Sequence, residues 1–282
     1  MKRIFVSVAA AAMATLVASS VVAEETPDIE MWRLDCGKLE VSDMASFSDA
    51  HLYDGEQGSL AVSCYLIRNG DEYLLWDAGL PSVFAESSVT SGIFTMSVDQ
   101  TITDQLADLG LNRDDVTYAG MSHYHFDHVG QLSDFAGSTL LIGAADWEVV
   151  KATETANELV DPRPFAAWLG EDANPSTVIA HDHDVFGDGS VQIKAMPGHT
   201  PGHTGLLVRL PETGNVLLTG DLYHFEEQIE NRGVPVFNAN RADTLASFER
   251  FNTIAKSLDA KVVIQHDTRH VDRLPNFPES AK

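Results

Sequence analysis

Short apolar runs separated by turn residues occupy the first third of the chain and predict consecutive β-strands. The runs are IEMWRLDCGKLEV, SLAVSCYLI and EYLLWDAG, and the polar residues 68–71 between the last two predict a β-hairpin. Apolar positions at helical spacing follow in TITDQLADLGL, and VTYAGMS predicts one more short strand. The chain is therefore predicted to begin with antiparallel strands that lead into a helix.

The second half of the chain repeats this order of strands followed by a helix. After the strand STLLIGA and a polar helical region at 146–159, the strands SVQIKAMP, TGLLVRLP and NVLLTGD precede the helix TLASFERFNTIAKSLD and a last strand in KVVIQHD. Two such halves predict an α/β fold, in which two sheets pack face to face between helices as a four-layer αββα sandwich. Because no low-complexity linker divides the chain, residues 24–282 are predicted to form a single domain.

The first 23 residues have the pattern of a cleavable export signal. Lys2 and Arg3 precede a run rich in Ala and Val, and small residues lead up to Ala23. The run is interrupted by hydroxyl residues and is followed by acidic rather than basic ones, so a stable membrane anchor is not expected. Cleavage near Ala23 predicts a mature protein that is periplasmic or secreted.

Acidic side chains far outnumber basic ones. The chain has 42 Asp and Glu against 18 Lys and Arg, which gives a formal net charge of −24. A surface this negative repels phosphate backbones, so no nucleic-acid partner is expected. The same acidity is typical of a well-solvated surface and by itself indicates no binding site.

The two cysteines, Cys36 and Cys64, both lie on predicted strands. In an oxidising compartment such a pair forms a disulfide, but small free thiols are also common in protein cores. Both interpretations stay open from the sequence. A disulfide would close a loop of 28 residues and contribute roughly 3 kcal/mol to the free energy of unfolding.

The densest chemistry in the sequence is the segment MSHYHFDHVG at 121–130. In an extended segment, residues two apart point to the same side, so His123 and His125 can approach one cation together. Asp127 and His128 follow directly, and four such groups packed together would be costly unless neutral imidazoles and a carboxylate shared bound cations. A hydrogen-bonded cluster is the usual interpretation of one histidine, but the spacing HxHxDH favours a metal site.

This segment needs ligands from elsewhere in the chain. Zinc takes about four ligands, and a catalytic ion keeps one position for water. Three candidates follow later apolar runs, namely His199 in MPGHTPGHTG, Asp221 at the end of LLTGD and His266 in QHD. Because loops at strand ends often converge on functional sites, the sequence predicts a metal centre assembled from distant segments.

These motifs resemble the metallo-β-lactamase superfamily, and more narrowly its exported N-acyl-homoserine lactonases. The resemblance covers nearly all of the mature chain, in the order LWDAG, SHYHFDHVG, MPGHTPGHTG, TGD and QHD. It implies two Zn²⁺ ions per chain, at a site whose donors also accept other divalent metals. One zinc would be held by His123, His125 and His199, and the second by Asp127, His128 and His266, with Asp221 bridging the two. Asp77 of LWDAG would orient a ligand histidine or support the loop.

The same resemblance implies an enzyme that opens the lactone ring of N-acyl-homoserine lactones, which are small-molecule signals of quorum sensing. A hydroxide shared by the two zincs would attack the carbonyl, and Asp127 would pass a proton to the leaving oxygen. The lactonases place a tyrosine three positions after the bridging aspartate, whereas this chain has His224 there and Tyr223 one position earlier. Both are candidate donors to the carbonyl oxygen, and register favours His224.

Other functions stay open at this point. The fold also serves arylesterases, organophosphate hydrolases and thioesterases of the glyoxalase II type. A zinc β-lactamase of the commonest type would carry Cys in place of Asp221, which argues against that activity. A non-catalytic zinc-binding module is a further alternative, but a structural zinc site is normally closed by four ligands, whereas seven are present here.

Two features are candidates for the wall of a substrate site. The segment 82–101 mixes small polar and apolar residues and is either a lid over an acyl chain or an ordinary loop. An apolar approach to the metals is predicted to include some of Trp32, Phe47, Met121 and Phe126, each of which also suits a core position.

Overall fold

The structure, a computed structural model, describes residues 28–156 and 159–282, so the predicted export signal at 1–23 lies outside the described residues. The strands are β1 (Ile29–Val41), β2 (Gly58–Asn69), β3 (Glu72–Trp76), β4 (Val89–Ser91), β5 (Phe94–Ser97), β6 (Tyr118–Gly120), β7 (Thr139–Gly143), β8 (Ser176–Ile179), β9 (His183–Asp184), β10 (Val191–Ala195), β11 (Thr204–Leu210), β12 (Gly214–Leu218) and β13 (Lys261–Val263). The α-helices are α1 (Ile102–Asp108), α2 (Phe126–Val129), α3 (Ala144–Ala152), α4 (Glu227–Asn231) and α5 (Arg241–Ser257). Within the described part of the chain, no helix is both long and apolar enough to cross a membrane.

The strands form two mixed sheets. The larger has the order β4-β5-β1-β2-β3-β6-β7-β8, and the smaller has the order β13-β12-β11-β10-β9. β1, β2 and β3 pair antiparallel, and the predicted hairpin joins β2 to β3, whereas β3, β6, β7 and β8 run parallel. Parallel neighbours need crossover connections, and α1 and α3 lie in two of these crossovers.

Three apolar clusters fill the spaces between the layers. Successive residues of a strand point to opposite faces, so Trp76 of β3 lies between the two sheets with Leu206 of β11, while its neighbour Leu75 packs on the outer side with α1. In the smaller sheet, Leu207 faces outward and packs against α5. The order helix, sheet, sheet, helix confirms the predicted four-layer αββα sandwich.

Two predicted elements are shorter in the structure. The polar helix expected at 146–159 is α3, which ends at Ala152 because Thr153 adopts an extended backbone. The strand expected at 116–122 is reduced to the three residues of β6. The chain leaves the sheet after Gly120, and this early departure frees the histidine segment from strand pairing.

Cys36 and Cys64 form a disulfide between β1 and β2, with their Cα atoms 5.8 Å apart. Both side chains are fully buried. The structure therefore decides between the two interpretations that the sequence left open, in favour of the disulfide. Such a bond restricts the unfolded chain and thereby stabilises the fold.

Candidate metal centre

The seven predicted ligands meet where four strands end. Residues 121–130 follow β6, and the other three loops follow β10, β12 and β13. In each case an apolar strand anchors the start of the loop in the core and fixes where the polar side chains emerge. All seven side chains are buried, and they fall into two groups, one made of His123, His125, His199 and Asp221 and the other of Asp127, His128 and His266.

The first group contains three imidazoles and one carboxylate, whose ligand atoms all lie within 4.8 Å of one another. His125 Nδ1 and His199 Nε2 are 2.9 Å apart. His123 Nε2 and His199 Nε2 lie 3.7 and 3.4 Å from Asp221 Oδ2. Four nitrogen and oxygen donors converging on one point match the number and type of ligands that zinc prefers.

The second group shares Asp221 with the first. His128 Nε2 and His266 Nε2 are 3.1 Å apart, and Asp127 Oδ2 lies 3.6 Å from His266 Nε2. Asp221 Oδ1 is 3.0 Å from each of the two Nε2 atoms. Because Asp221 turns one oxygen towards each group, it occupies the position between them that the bridging role requires.

The electrostatics differ between the two groups. Burial holds the pKa of His123 and His199 well below the ordinary value, so these rings stay neutral and keep a lone pair for a cation. Burial also opposes charge on His128, but the Asp221 and Asp77 carboxylates outweigh it and raise the pKa of that ring. Burial would raise the pKa of the Asp221 carboxyl, yet the surrounding histidines hold it well below its usual range. The centre therefore favours positive charge around Asp221.

Two buried ligand atoms indicate that bound cations supply this positive charge. Within the described residues, neither His123 Nε2 nor Asp221 Oδ1 makes a hydrogen bond of acceptable geometry, although Asp221 Oδ1 lies 3.0 Å from two imidazole nitrogens. Buried polar atoms are seldom left unpaired. Divalent cations would satisfy both atoms, and their binding would displace the proton that Asp221 attracts to His128. The residues present thus fit one cation in each group, and zinc suits this mixture of imidazole and carboxylate donors.

Asp77 lies directly behind the second group. Its Oδ2 accepts hydrogen bonds from His128 Nδ1 at 3.0 Å and from Gln265 Nε2 at 2.8 Å, and its Oδ1 accepts from the Ser122 N–H at 2.7 Å. Its φ of 61° lies in the left-handed region, which Asp tolerates better than most residues. Asp77 thus orients His128 and also holds the start of the histidine segment, the two roles that the sequence suggested for it.

Two more ligand rings are fixed through the nitrogen that faces away from the centre. His266 Nδ1 donates to Ala61 O at 2.7 Å. His199 Nδ1 donates to Asn238 Oδ1 at 2.9 Å. Each bond leaves Nε2 free for a cation and sets the plane of the ring, as the outer partners of metal-binding histidines commonly do.

His203, the second histidine of PGHTPGHTG, supports Asp221. Its Nδ1 donates to Met196 O at 2.9 Å, and its Nε2 accepts the N–H of Asp221 at 3.0 Å. Gly220 has a φ of 53°, and a Cβ at this position would lie 2.6 Å from His203 Nε2. Only glycine fits there, and the backbone that presents Asp221 is fixed as a result.

Asp146, at the start of α3, holds the loop that carries His199. Its Oδ2 accepts from Thr200 Oγ1 at 2.7 Å, and its Oδ1 accepts from the Gly202 N–H at 2.6 Å. The side chain is fully buried, and burial raises the pKa of its carboxyl to about 7. A Cβ on Gly143 would lie 1.9 Å from Gly202 O, so loop and helix are in direct backbone contact.

The two candidate donors beyond Asp221 have opposite surroundings. His224 Nε2 lies 3.3 Å from Asp221 Oδ2, and the ring lines the cavity described below. Tyr223 stacks on Phe248 with ring centroids 4.4 Å apart, and its hydroxyl accepts from Asn252 Nδ2. Since the backbone at Tyr223 is extended, adjacent side chains point to opposite sides. The alternative that gave Tyr223 a catalytic role is therefore corrected, because this residue belongs to the core against α5.

A largely apolar cavity of about 570 Å³ opens over the two groups. Its floor contains His125, Asp127, Asp221, His224 and His266, and its walls contain Leu39, Phe47, Leu60, Ser91, Gly92, Ile93, Phe94, Met96, Phe126, Leu159 and Phe237. Of the four aromatic and sulfur-containing candidates for an apolar approach, Phe47 and Phe126 line the cavity, while Trp32 and Met121 belong to the core. The segment 82–101 contributes the hairpin of β4 and β5 to the wall.

The sequence did not single out three residues that position the ligands, namely Asn238, Gln265 and Asp146. Asn238 and Gln265 are uncharged amides without a motif of their own, although Gln265 directly precedes a predicted ligand. Asp146 is one of 42 acidic residues, and its burial becomes visible only when α3 packs against the loop of His199.

Comparison with known proteins shows the family to which the chain belongs. Residues 58–266 match the family described as the metallo-beta-lactamase superfamily. The chain is similar to the N-acyl homoserine lactonase AttM of Rhizobium radiobacter, with 33% identity over 188 residues, which cover 64% of this chain and 68% of that protein. It is also similar to an N-acyl homoserine lactonase of a Bacillus species, with 29% identity over 239 residues, 81% of this chain and 90% of that protein.

Solved structures give the same result. The crystal structure of a quorum-quenching N-acyl homoserine lactone hydrolase aligns with a TM-score of 0.74 at 25% identity, covering 89% of this chain and 97% of that one. The AiiA protein of B. thuringiensis, in a mutant with N-decanoyl-L-homoserine bound at its active site, aligns with a TM-score of 0.73 at 25% identity, over 89% and 98% of the two chains. The chain therefore belongs to the metallo-β-lactamase superfamily, and its similarity to the lactonases identifies it as a metal-dependent hydrolase.

Proposed function

We propose that this protein opens the lactone ring of N-acyl-homoserine lactones, with two Zn²⁺ ions held at the metal centre. The observation that carries the proposal is the position of Asp221 between two groups of ligands, at the floor of an apolar cavity. An N-acyl-homoserine lactone joins a polar lactone ring to an apolar acyl chain. The cavity has a polar floor and apolar walls, so the lactone would face the floor and the acyl chain would contact the walls.

Relatives support this substrate. The proteins named above are N-acyl homoserine lactonases, and one further structure, with a TM-score of 0.73 and 25% identity, has the product N-hexanoyl-L-homoserine bound at its catalytic metal centre. The cavity volume lies within the range of roughly 300 to 1,000 Å³ that small-molecule sites occupy. This volume supports a small-molecule substrate of this class.

When bound, the two cations would supply an ionised water as nucleophile and a Lewis acid for the carbonyl oxygen. The residues of the chain provide the remaining steps. Hydrolysis breaks the bond between the carbonyl carbon and the ring oxygen, and the departing oxygen needs a proton. Asp127 is buried and lines the cavity floor, and to this carboxylate we assign the transfer of that proton from the water to the leaving oxygen.

His224 is the group assigned to the substrate carbonyl. Its ring lies at the cavity floor, packed edge-on against Phe47 at 5.2 Å and stacked on His266 at 5.7 Å. These contacts leave the ring little freedom, and a fixed donor stabilises developing negative charge better than a mobile one. The imidazole N–H therefore takes the place of the tyrosine hydroxyl that the lactonases carry at this position.

A substrate panel tests the proposed function. Purified protein with two equivalents of zinc is assayed on N-acyl-homoserine lactones of several chain lengths, an aryl ester, a glutathione thioester and a β-lactam. We expect the acyl lactones to give the highest kcat/KM and chelation to abolish turnover. A higher kcat/KM on the aryl ester or thioester, with acyl lactones untouched, would contradict the lactonase assignment while leaving a metal-dependent hydrolase.

We also propose that the protein is exported. Support comes from the pattern of residues 1–23 and from the Cys36–Cys64 disulfide, since such bonds persist in oxidising compartments. Fractionation of cells that produce the full chain, followed by N-terminal sequencing, tests this. A mature protein beginning near Glu24 outside the cytoplasm is expected, and an uncut chain in the cytoplasm would refute the proposal.

A further inference from the structure

We propose that the Cys36–Cys64 disulfide is a positioning brace for the second metal group, Asp127, His128 and His266, beyond its general contribution to stability. The bond joins β1 and β2, and each of these strands supports one of the two histidines of that group. The first link runs from Cys36 to His128, and the second from the Cys64 stretch of β2 to His266.

The link from Cys36 passes through the loop after β3. The pairing of β1 with β2 shifts register between Asp35 and Lys38, so Cys36 lies in a β-bulge. From this bulge the carbonyl of Cys36 accepts the N–H of Leu80 at 3.1 Å. Gly79 lies directly against Cys36, where a Cβ on the glycine would be 2.4 Å from the cysteine Cβ. The loop 77–80 thus packs against the backbone and Cβ of Cys36, whose position the disulfide fixes relative to β2.

The same loop holds His128. At its start, Asp77 accepts from His128 Nδ1 at 3.0 Å, and Ala78 donates its N–H to the carbonyl of His128 at 2.6 Å. Both the ring and the backbone of this ligand are therefore bound to residues that sit one or two positions before Gly79. A shift of the loop away from Cys36 would carry His128 with it.

The link through β2 reaches His266 directly. β3 pairs with β2 only from Tyr65 onward, which leaves the edge of the preceding residues open. The segment 265–266 occupies that edge. Ala61 donates its N–H to His266 O at 3.0 Å and accepts from His266 Nδ1 at 2.7 Å, while Ser63 O accepts from Gln265 Nε2 at 3.3 Å. These three contacts lie within three residues of Cys64.

The disulfide therefore spans the two supports of the two rings that face each other across the second group. His128 Nε2 and His266 Nε2 are 3.1 Å apart, and their separation depends on the distance between the β1 bulge and β2. The first group shares one of these supports, because Asp77 also accepts the N–H of Ser122 beside His123. Its His199, however, is held by contacts outside this network, namely the bond to Asn238 and the Asp146 bonds to the same loop. Loss of the disulfide should consequently affect one cation more than the other.

The test compares the double variant Cys36→Ala/Cys64→Ala with Arg68→Ala. Arg68 binds Asp28 and Glu30 at the far end of the same strand pair, so its loss weakens the pairing of β1 and β2 without touching the metal centre. Both variants and the parent protein are stripped of metal. The dissociation constants of the two zinc equivalents are then measured by chelator competition well below the melting temperature, together with the Tm of each apo-protein.

We expect the cysteine variant to lose affinity for one zinc equivalent by about 10-fold or more, the scale on which outer supports of ligands act, with the other equivalent within about 3-fold of the parent. Arg68→Ala should lower the Tm and leave both equivalents unchanged. The brace is overturned if the cysteine variant binds both equivalents like the parent, or if both equivalents weaken together in both variants in step with the Tm.

A second comparison covers the case in which the cysteine variant does not fold. The unaltered chain is produced in reduced form, and its zinc affinities are measured before and after oxidation of the two thiols. Oxidation should raise the affinity for one equivalent selectively. A reduced chain that is unfolded, or that binds both equivalents as the oxidised chain does, refutes a specific role at the second group. Because the readout is metal affinity, this result is independent of whether lactones are the substrate.

Discussion

The floor and the wall of the cavity are built in opposite ways. In the metal centre at the floor, the ligand rings are buried, and three of them are bound through the outer nitrogen to distant parts of the chain, His128 to Asp77, His199 to Asn238 and His266 to Ala61. The wall formed by β4 and β5 lies at the edge of the larger sheet, and all three residues of β4 are exposed.

This difference suggests that the floor carries out the reaction and the wall selects the substrate. The floor has one arrangement, because moving any ligand breaks contacts with other elements. The hairpin wall pairs on one side only, through β5 with β1, so its side chains can change with little effect on the ligands. We therefore expect changes on the floor to abolish or slow the reaction, and changes in the wall to alter which acyl group is preferred.

Asp221→Asn should give the largest effect, because an amide offers only one oxygen to the two cations. We expect kcat/KM to fall by more than about 10³-fold, the scale on which loss of a central catalytic group acts, with weaker binding of both zinc equivalents. Metal analysis and lactone hydrolysis are the measurements. Asp172→Asn, on an exposed loop, is the charge-matched control. Full zinc occupancy and normal turnover in Asp221→Asn would contradict the bridging role of Asp221.

His224→Ala should act on the chemical step alone. We expect kcat to fall by about 10²-fold, the range seen when one donor to a developing oxyanion is removed, at unchanged zinc content. Tyr223→Phe is the matched control, since it removes only the bond from Asn252 and should leave kcat within about 2-fold. An unchanged kcat in His224→Ala, or a larger loss in Tyr223→Phe, would reverse the assignment made here.

Ile93→Ala tests the wall. Truncation removes apolar surface from the cavity, and each buried methylene lost from contact with an acyl chain costs about 0.8 kcal/mol, or roughly 4-fold in kcat/KM. The loss should appear with long acyl chains and be absent with short ones, at unchanged zinc content. Val178→Ala, an exposed position on β8 outside the cavity, serves as control. An equal loss for all chain lengths would mean that the hairpin also supports the floor.

Asp146→Asn should have the smallest effect, a change in how stability depends on pH. Burial raises the pKa of Asp146 in the folded protein to about 7, against 3.8 as the ordinary value. Between these two pH values the Asp146 carboxyl is protonated in the folded protein and ionised in the unfolded chain. Its contribution to the free energy of unfolding is therefore complete below about pH 4 and declines as pH rises to about 7. Asp146→Asn cannot ionise at this position, so the variant should lack this fall in stability with rising pH.

Melting curves between pH 4 and 8 measure this effect. The Tm of the parent protein should fall by at least roughly 2 °C more than that of Asp146→Asn over this interval. The absolute Tm of the variant is not the criterion, because the amide also changes the bonds to Thr200 and Gly202. Parallel curves would show that Asp146 is ionised throughout, and its hold on the loop of His199 would then be that of a carboxylate.

The fold was predictable because its pattern is local. Alternating apolar positions in β1 to β3 and in β10 to β12 predicted the strands, and the structure confirms them within a few residues. The helix expected at 146–159 was too long, since α3 ends at Ala152. The spacing of apolar residues predicts that a helix forms, but it does not predict the residue at which tertiary contacts end it. The Cys36–Cys64 pairing also needed the structure, since spacing along the chain does not give the distance between two strands.

The sequence by itself determined which side chains can hold cations. The spacing of His123, His125, Asp127 and His128 keeps them close along the chain, and the positions of His199, Asp221 and His266 after apolar strands follow from local pattern. Tertiary structure alone decided what fixes them. Asn238 lies 39 residues from His199, and the partner of His266 is a backbone carbonyl 205 residues away, an atom that every residue carries and that no sequence motif can mark.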